Sequence, residues 1–292
     1  MWEPKQILVA TDFSKSSENA LMHASWLAAR YQARLHVLNV QNVHREMYGL
    51  TTNPRFADFE KIIREAASDQ MQNFIADFEE NVTHRVTYDN HKAQAIMRYA
   101  EQHRIDLIVM GAYSRTGIGR LFLGSVTSEV LRIAKVPVLA VKPQHKLLDY
   151  GYKKVMLPVD LSEIPENLRW RAMALTTQDN PQLRIVHVIE AEGYSNERSF
   201  ERAKSVASSQ LEKLVKQTAL PGEAEIAVLA SNKPADKQLA QDAKAFEANL
   251  IIMGHARESY IQRRLLGRTI DRVLRRTPCP VLAWRGHEAP KK

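Results

Sequence analysis

The chain has 292 residues, with 41 Lys/Arg against 33 Asp/Glu for a net charge of +8, and is 45% hydrophobic and 25% charged. These values exclude a fibrous or low-complexity protein, and with no apolar run of about 18 residues they exclude a transmembrane helix. One cysteine, Cys279, excludes an internal disulfide framework, and the opening MWEPKQILVA lacks the pattern of a signal peptide, so a cytoplasmic protein of two domains of about 150 residues each is expected.

In chain order, Ile7–Ala10 reads as a strand and Ser16–Arg30 as an amphipathic helix. Leu35–Val40 is the next strand, and a long helical stretch opens near Pro54 and runs to about Glu80. Val82–Tyr88 alternates as a strand, Ala93–His103 is a helix, and Leu107–Met110 is the continuous apolar run expected of a parallel strand covered on both faces. Val126–Ala134 is a helix stopped near Pro137, and Val138–Val141 is a strand. The second half repeats the pattern with strands Val155–Pro158, Leu183–Val188, Ile226–Ala230, Leu250–Met253 and Val281–Trp284. Its helices lie near Pro165–Thr177, Asn196–Ala219, Ala235–Glu247 and Thr269–Arg276. Alternating strands and helices predict an α/β class, each half a five-stranded parallel sheet flanked by four helices.

The halves are copies. Met110-Gly111, Gly124 and Pro137 recur as Met253-Gly254, Gly267 and Pro280, each 143 positions later (110 to 253, 124 to 267, 137 to 280). ILVATDFS at Ile7–Ser14 recurs as VMLPVDLS at Val155–Ser162, which sets Asp12 against Asp160. A duplication this long marks two domains, 1–143 and 153–292, joined by a linker over 144–152 within the Pro- and Gly-bearing stretch PQHKLLDYGYK. From Leu250 onward ten Lys/Arg stand against three Asp/Glu, either a solvated helical face or a surface for an anionic partner.

In an open parallel sheet ligands bind beyond the carboxyl ends of the strands. The loops after the first, second and fourth strands therefore matter in the first half. Thr11-Asp12-Phe13-Ser14 offers a carboxylate for an amino or hydroxyl group, or else an ordinary helix cap. The loop from Gly111 to Gly124-Ser125 ends at a helix N-terminus, whose free amides suit phosphate. It is neither a Walker A loop nor a dinucleotide fingerprint. Tyr113 beside it is either a stacking residue or a surface tyrosine. His36, His187 and His255 have no metal-ligand spacing, and no nucleophile–histidine order is supported, so no metal and no catalytic residue is predicted.

The strand followed by Met-Gly, the downstream Gly-Ser at a helix start and the closing PVLAV resemble the universal stress protein family, and two copies resemble its tandem-domain members. The resemblance implies two Rossmann-like, adenine-nucleotide-alpha-hydrolase-like domains. It implies that ATP or a related adenine nucleotide, with magnesium as an accompanying ion, binds domain 1. Asp12 and the backbone at Val40 would meet the adenine end, Met110 and Gly111 the ribose, and Ser114, Gly124, Ser125 and Val126 the phosphates. Ser114 stands where the family carries its second glycine. The degenerate counterpart in domain 2 is Asp160, Val188, Met253, Gly254, Arg257, Gly267 and Arg268, with two arginines where the family has small residues. The resemblance further implies an intramolecular pseudo-dimer through the last strands, leaves a homodimer and a protein partner open, and points to stress-response signalling with at most slow ATP hydrolysis. The alternative is a nucleotide-free pseudo-dimeric protein whose basic domain 2 surface contacts a protein or nucleic acid.

Overall fold

The computed structural model describes residues 2–42, 54–78, 82–112, 123–147, 151–161, 165–176, 180–254 and 271–284. The first half runs β1 (Gln6–Thr11), α1 (Lys15–Tyr31), β2 (Arg34–Gln41), α2 (Pro54–Ile75), β3 (Val82–Tyr88), α3 (Lys92–Gln102), β4 (Leu107–Gly111), α4 (Ser125–Ile133) and β5 (Val138–Val141). The second half runs β6 (Lys154–Pro158), α5 (Pro165–Met173), β7 (Gln182–Glu190), α6 (Glu197–Gln217), β8 (Ala224–Ser231), α7 (Ala235–Ala245), β9 (Leu250–Met253), a helical segment at 271–276 and β10 (Val281–Ala283). The predicted elements are all present. Two helices end early: α2 stops at Ile75 rather than about Glu80, and α5 stops at Met173 rather than near Thr177 because Leu175 takes a left-handed backbone, φ 58°.

All ten strands form one sheet, in the order β3-β2-β1-β4-β5-β10-β9-β6-β7-β8. Within each half the pairing is parallel, and the halves meet where β5 and β10 run antiparallel. The register there is Val281 on Ala140, Leu282 on Leu139 and Ala283 on Val138. Strand alternation sends Ile7, Val9 and Val109 to one face and Leu8, Ala10 and Ile108 to the other. The first face is covered by α1, α2, α5 and α6, the second by α3, α4, α7 and the 271–276 segment, so both cores run through both halves. Sheets buried on both faces need strands without polar alternation, which is why β4 reads as an uninterrupted apolar run.

The junction is lined with aromatic and polar groups. Trp2 from the N-terminal segment packs on Trp170 of α5 at 5.8 Å, and Trp170 on Trp284 at 6.0 Å. The Lys142 ammonium is buried and donates to the carbonyls of Thr277 at 2.8 Å and Arg275 at 3.2 Å. Burial lowers it to about 8 and pushes the neighbouring Cys279 thiol up to about 12. The linker is anchored by His23 Nδ1, 2.6 Å from the Tyr152 hydroxyl, and by Asn19 Nδ2, which donates to the carbonyls of Lys142 and His145. Gly151 has φ +66°, and a Cβ there would lie 2.1 Å from the Trp26 ring, so a side chain is excluded on both grounds.

Candidate functional site

The carboxyl ends of β1, β2 and β4 and the starts of α3 and α4 enclose a cavity of about 350 Å³. Of the eight residues predicted for the first half, Asp12, Val40, Met110, Gly111, Gly124, Ser125 and Val126 line it. Ser114 lies outside the described residues, as does Tyr113.

The wall after β1 is a knot of short polar side chains. Ser14 caps α1, its hydroxyl accepting from the Ser17 amide at 3.3 Å. Asp12 Oδ1 accepts from the Ser14 amide and from Ser17 Oγ, both at 3.1 Å, so Asp12 also holds the turn, as the local sequence allows. Thr11 Oγ1 accepts from the Phe13 amide at 2.9 Å. Phe13 itself has φ 61°, a strained value for a bulky residue, offset by edge-on packing against Phe74 at 5.5 Å. With that kink the chain leaves the β1–β2 pairing after Thr11.

The kink has a consequence for Val40. The Arg34 amide donates to the Lys5 carbonyl, so alternate residues of β2, through Val40, aim their backbone groups at β1. The Phe13 amide, next in line, is turned onto Thr11 Oγ1. The Val40 carbonyl therefore faces the cavity beyond the last β1 pair, Thr11 on Asn39. Asn39 Nδ2 donates to the Thr11 carbonyl at 2.8 Å, and Gln41 Nε2 to Asn39 Oδ1 at 2.6 Å, which braces this wall.

On the opposite wall β4 ends at Gly111. A Cβ there would lie 2.8 Å from the backbone carbon and Oγ of Ser16, so only glycine lets α1 approach this strand end. Thr127 Oγ1 donates to the Gly111 carbonyl at 2.8 Å, and the Gly124 amide to the Ala112 carbonyl at 3.1 Å, tying the start of α4 to the end of β4. Gly124 is the N-cap of α4 and brings no side-chain cap. The first-turn amides have no intrahelical acceptor, and with the helix dipole they favour an anion. The cavity thus has carboxylate and carbonyl acceptors on one side and amide donors on the other.

The second half differs at the same places. His187 Nδ1 lies 3.0 Å from the Val159 carbonyl, the counterpart of Asn39 on Thr11. Asp160 is exposed at the end of the β6 turn, Val188 and Met253 are half-buried, and Gly254 sits against Arg171. The buried Arg171 donates to the carbonyls of Pro158 at 2.7 Å and Ile252 at 3.1 Å. At the start of α7 the Glu190 carboxylate accepts from the Ala235 amide at 2.7 Å, and Asp236 forms an ion pair with Arg276. Arg257, Gly267 and Arg268 lie outside the described residues. Sequence reasoning did not single out Ser17, Asn39, Gln41, Lys92 and Thr127 as lining residues of the first cavity. The helix-start position of Lys92 was the available signal.

The sequence pattern of the universal stress protein family matches residues 3–142 and again residues 151–285. The chain belongs to that family. Among curated relatives, universal stress protein MJ0531 of Methanocaldococcus jannaschii is 31% identical over 144 residues, 49% of this chain and 84% of that protein. Universal stress protein MJ0577 of the same organism is 29% identical over 153 residues, 47% of this chain and 94% of that protein. The crystal structure of a universal stress protein from Archaeoglobus fulgidus superposes with a TM-score of 0.64 at 20% identity, over 97% of this chain and 99% of that chain, so the two-domain fold is shared along the whole length. Among the described residues no helix is long and apolar enough to cross a membrane.

Proposed function

We propose that this tandem universal stress protein binds ATP or a related adenine nucleotide in its first half, residues 1–143, and works as a stress-response signalling module. The second half, residues 153–292, is joined through 144–152 and is degenerate as a nucleotide site. The observation that carries this reading is one cavity lined by Asp12, Val40, Met110, Gly111, Gly124, Ser125 and Val126. Its two walls match the two ends of a nucleotide. The Val40 carbonyl and the Asp12 carboxylate suit an amino group and ribose hydroxyls, and the α4 amides with Ser125 suit phosphates, alone or with magnesium. In the second half, Glu190 sets a carboxylate on the α7 amide where the first half has Lys92, so the corresponding end has lost its cation and carries a negative charge instead.

The antiparallel pairing of β5 with β10 supports a pseudo-dimer within one chain, its two crevices carried on a common sheet. In that arrangement a cytoplasmic partner reads the occupancy of the first crevice. Calorimetry of the full chain with ATP, with and without magnesium, tests this. Binding at micromolar to millimolar nucleotide is expected. Gly124→Leu should abolish it and leave the fold intact, because Gly124 sits at φ −58°, ψ 137°, which any residue adopts. Absence of binding at millimolar ATP rejects the proposal and favours a nucleotide-free interaction protein.

A further inference from the structure

We propose that Lys92 is a ligand-recognition residue that holds an acceptor on the base end of the nucleotide and so helps set which base the first half selects. The inference rests on the nucleotide reading of the cavity. Thr11 Oγ1 donates to Ser17 Oγ at 3.0 Å, and Ser17 Oγ to Asp12 Oδ1 at 3.1 Å. Asn39 Nδ2 donates to the Thr11 carbonyl at 2.8 Å, Gln41 Nε2 to Asn39 Oδ1 at 2.6 Å, and Thr127 Oγ1 to the Gly111 carbonyl at 2.8 Å. Each of these donors is already engaged within the protein. Lys92 lines the same cavity, half-buried, and its ammonium has neither a hydrogen-bond nor an ion-pair partner among the described residues. Lys92 and Asp12 are the charged side chains among the described lining residues.

Position argues for the base end. Lys92 opens α3, directly after β3, whereas the amide-rich start of α4 follows β4. α3 packs beside α4, where Gln94 Nε2 donates to Glu129 Oε1 at 3.4 Å, and against β2, whose Val40 and Gln41 pair with Thr87 and Tyr88 of β3 just before Lys92. Lys92 therefore lies on the Val40–Gln41 side of the cavity, and one ligand reaching the α4 amides with its phosphates brings its base toward these residues. There a donor ammonium beside the Val40 carbonyl reads an acceptor next to an amino group, the edge that N1 and the 6-amino group of adenine present. The second half has lost this feature. Its counterpart at the start of α7 is Ala235, whose amide is held by Glu190.

Calorimetric titration of the full chain with ATP, adenosine and inorganic triphosphate separates the outcomes, with thermal melting as the check on folding. Lys92→Met should weaken ATP and adenosine alike by about tenfold and leave triphosphate unchanged, and Lys92→Arg should restore most of the loss. Unaltered affinity for ATP and adenosine in the folded Lys92→Met protein overturns the inference and leaves the nucleotide reading standing. Weakened ATP and triphosphate with unaltered adenosine also overturns it, since the lysine would then serve the phosphates. Failure of the unsubstituted protein to bind ATP or adenosine rejects the underlying reading, and the inference with it, before any variant is made.

Discussion

Leu139 and Leu282 face each other across the antiparallel pairing of β5 with β10, and they are the same position of the repeat, 143 residues apart. Ser128 and Asp271, also 143 apart, meet on the helices below, where Ser128 Oγ donates to Asp271 Oδ1 at 3.4 Å. Equivalent residues pair with each other only around a two-fold relationship, so both contacts mark its axis. An isologous seam of this kind sets Leu139 against its own copy, and Val138 and Ala140 each against the copy of the other. It lets two ordinary five-stranded sheets merge without an exposed edge at the join.

The seam makes the halves interdependent. Both cores contain residues from both halves, and all four tryptophans, Trp2, Trp26, Trp170 and Trp284, pack near the junction. Urea unfolding followed by tryptophan fluorescence and by far-ultraviolet circular dichroism should therefore give coincident single transitions. Leu282→Asn, which buries an unsatisfied amide at the axis, should cost about 3 kcal/mol or more and pull the two curves apart.

Gly111→Ala should destabilise the protein even though alanine suits most strands. Its Cβ would lie 2.8 Å from the Ser16 backbone, which must shift. A loss of about 1–3 kcal/mol in urea denaturation is expected, as for other overpacked sites. Nucleotide affinity should fall as well, because Ser16 lies beside the Asp12–Ser17 knot. A variant as stable as the parent would refute the close approach.

Arg171→Met should be costlier than its volume change suggests. It deprives the Pro158 and Ile252 carbonyls of a charged donor in the interior. Leaving two buried acceptors without it should cost about 2–4 kcal/mol by chemical denaturation. Arg171→Lys should recover part of that, since one ammonium lacks the spread of a guanidinium fork.

Acid should loosen the linker. Burial lowers His23 to about 4 and His145 to about 3, from an unfolded value near 6.5. A depressed value means the unfolded chain takes up protons first. The stability these neutral rings contribute is complete above about pH 6.5 and is lost as pH falls toward their folded values, at up to about 1.4 kcal/mol per pH unit per histidine. Between pH 7 and pH 5 a drop of about 2–4 kcal/mol is expected in denaturant titrations, less than twice a single site because the two rings share the Lys142–Tyr152 cluster. His145→Gln should flatten that profile.

Periodicity and punctuation in the sequence sufficed for the strand and helix series, the duplication and the loops that carry the crevice. Those features are local. An apolar run flanked by Gly or Pro has few ways to fold, and Gly111, Gly124 and Asp12 fall at strand and helix ends wherever the sheet closes. Tertiary structure alone decided the rest. Lys92 reaches the cavity only because β3 pairs with β2 and delivers α3 beside it. Arg171 could pass for a surface residue until α5 lays it beneath Gly254. The Val40 carbonyl is freed by the kink at Phe13, in the turn after the neighbouring strand β1. Each is a long-range juxtaposition, set by packing two helical layers on a twisted sheet, and no spacing along the chain encodes it.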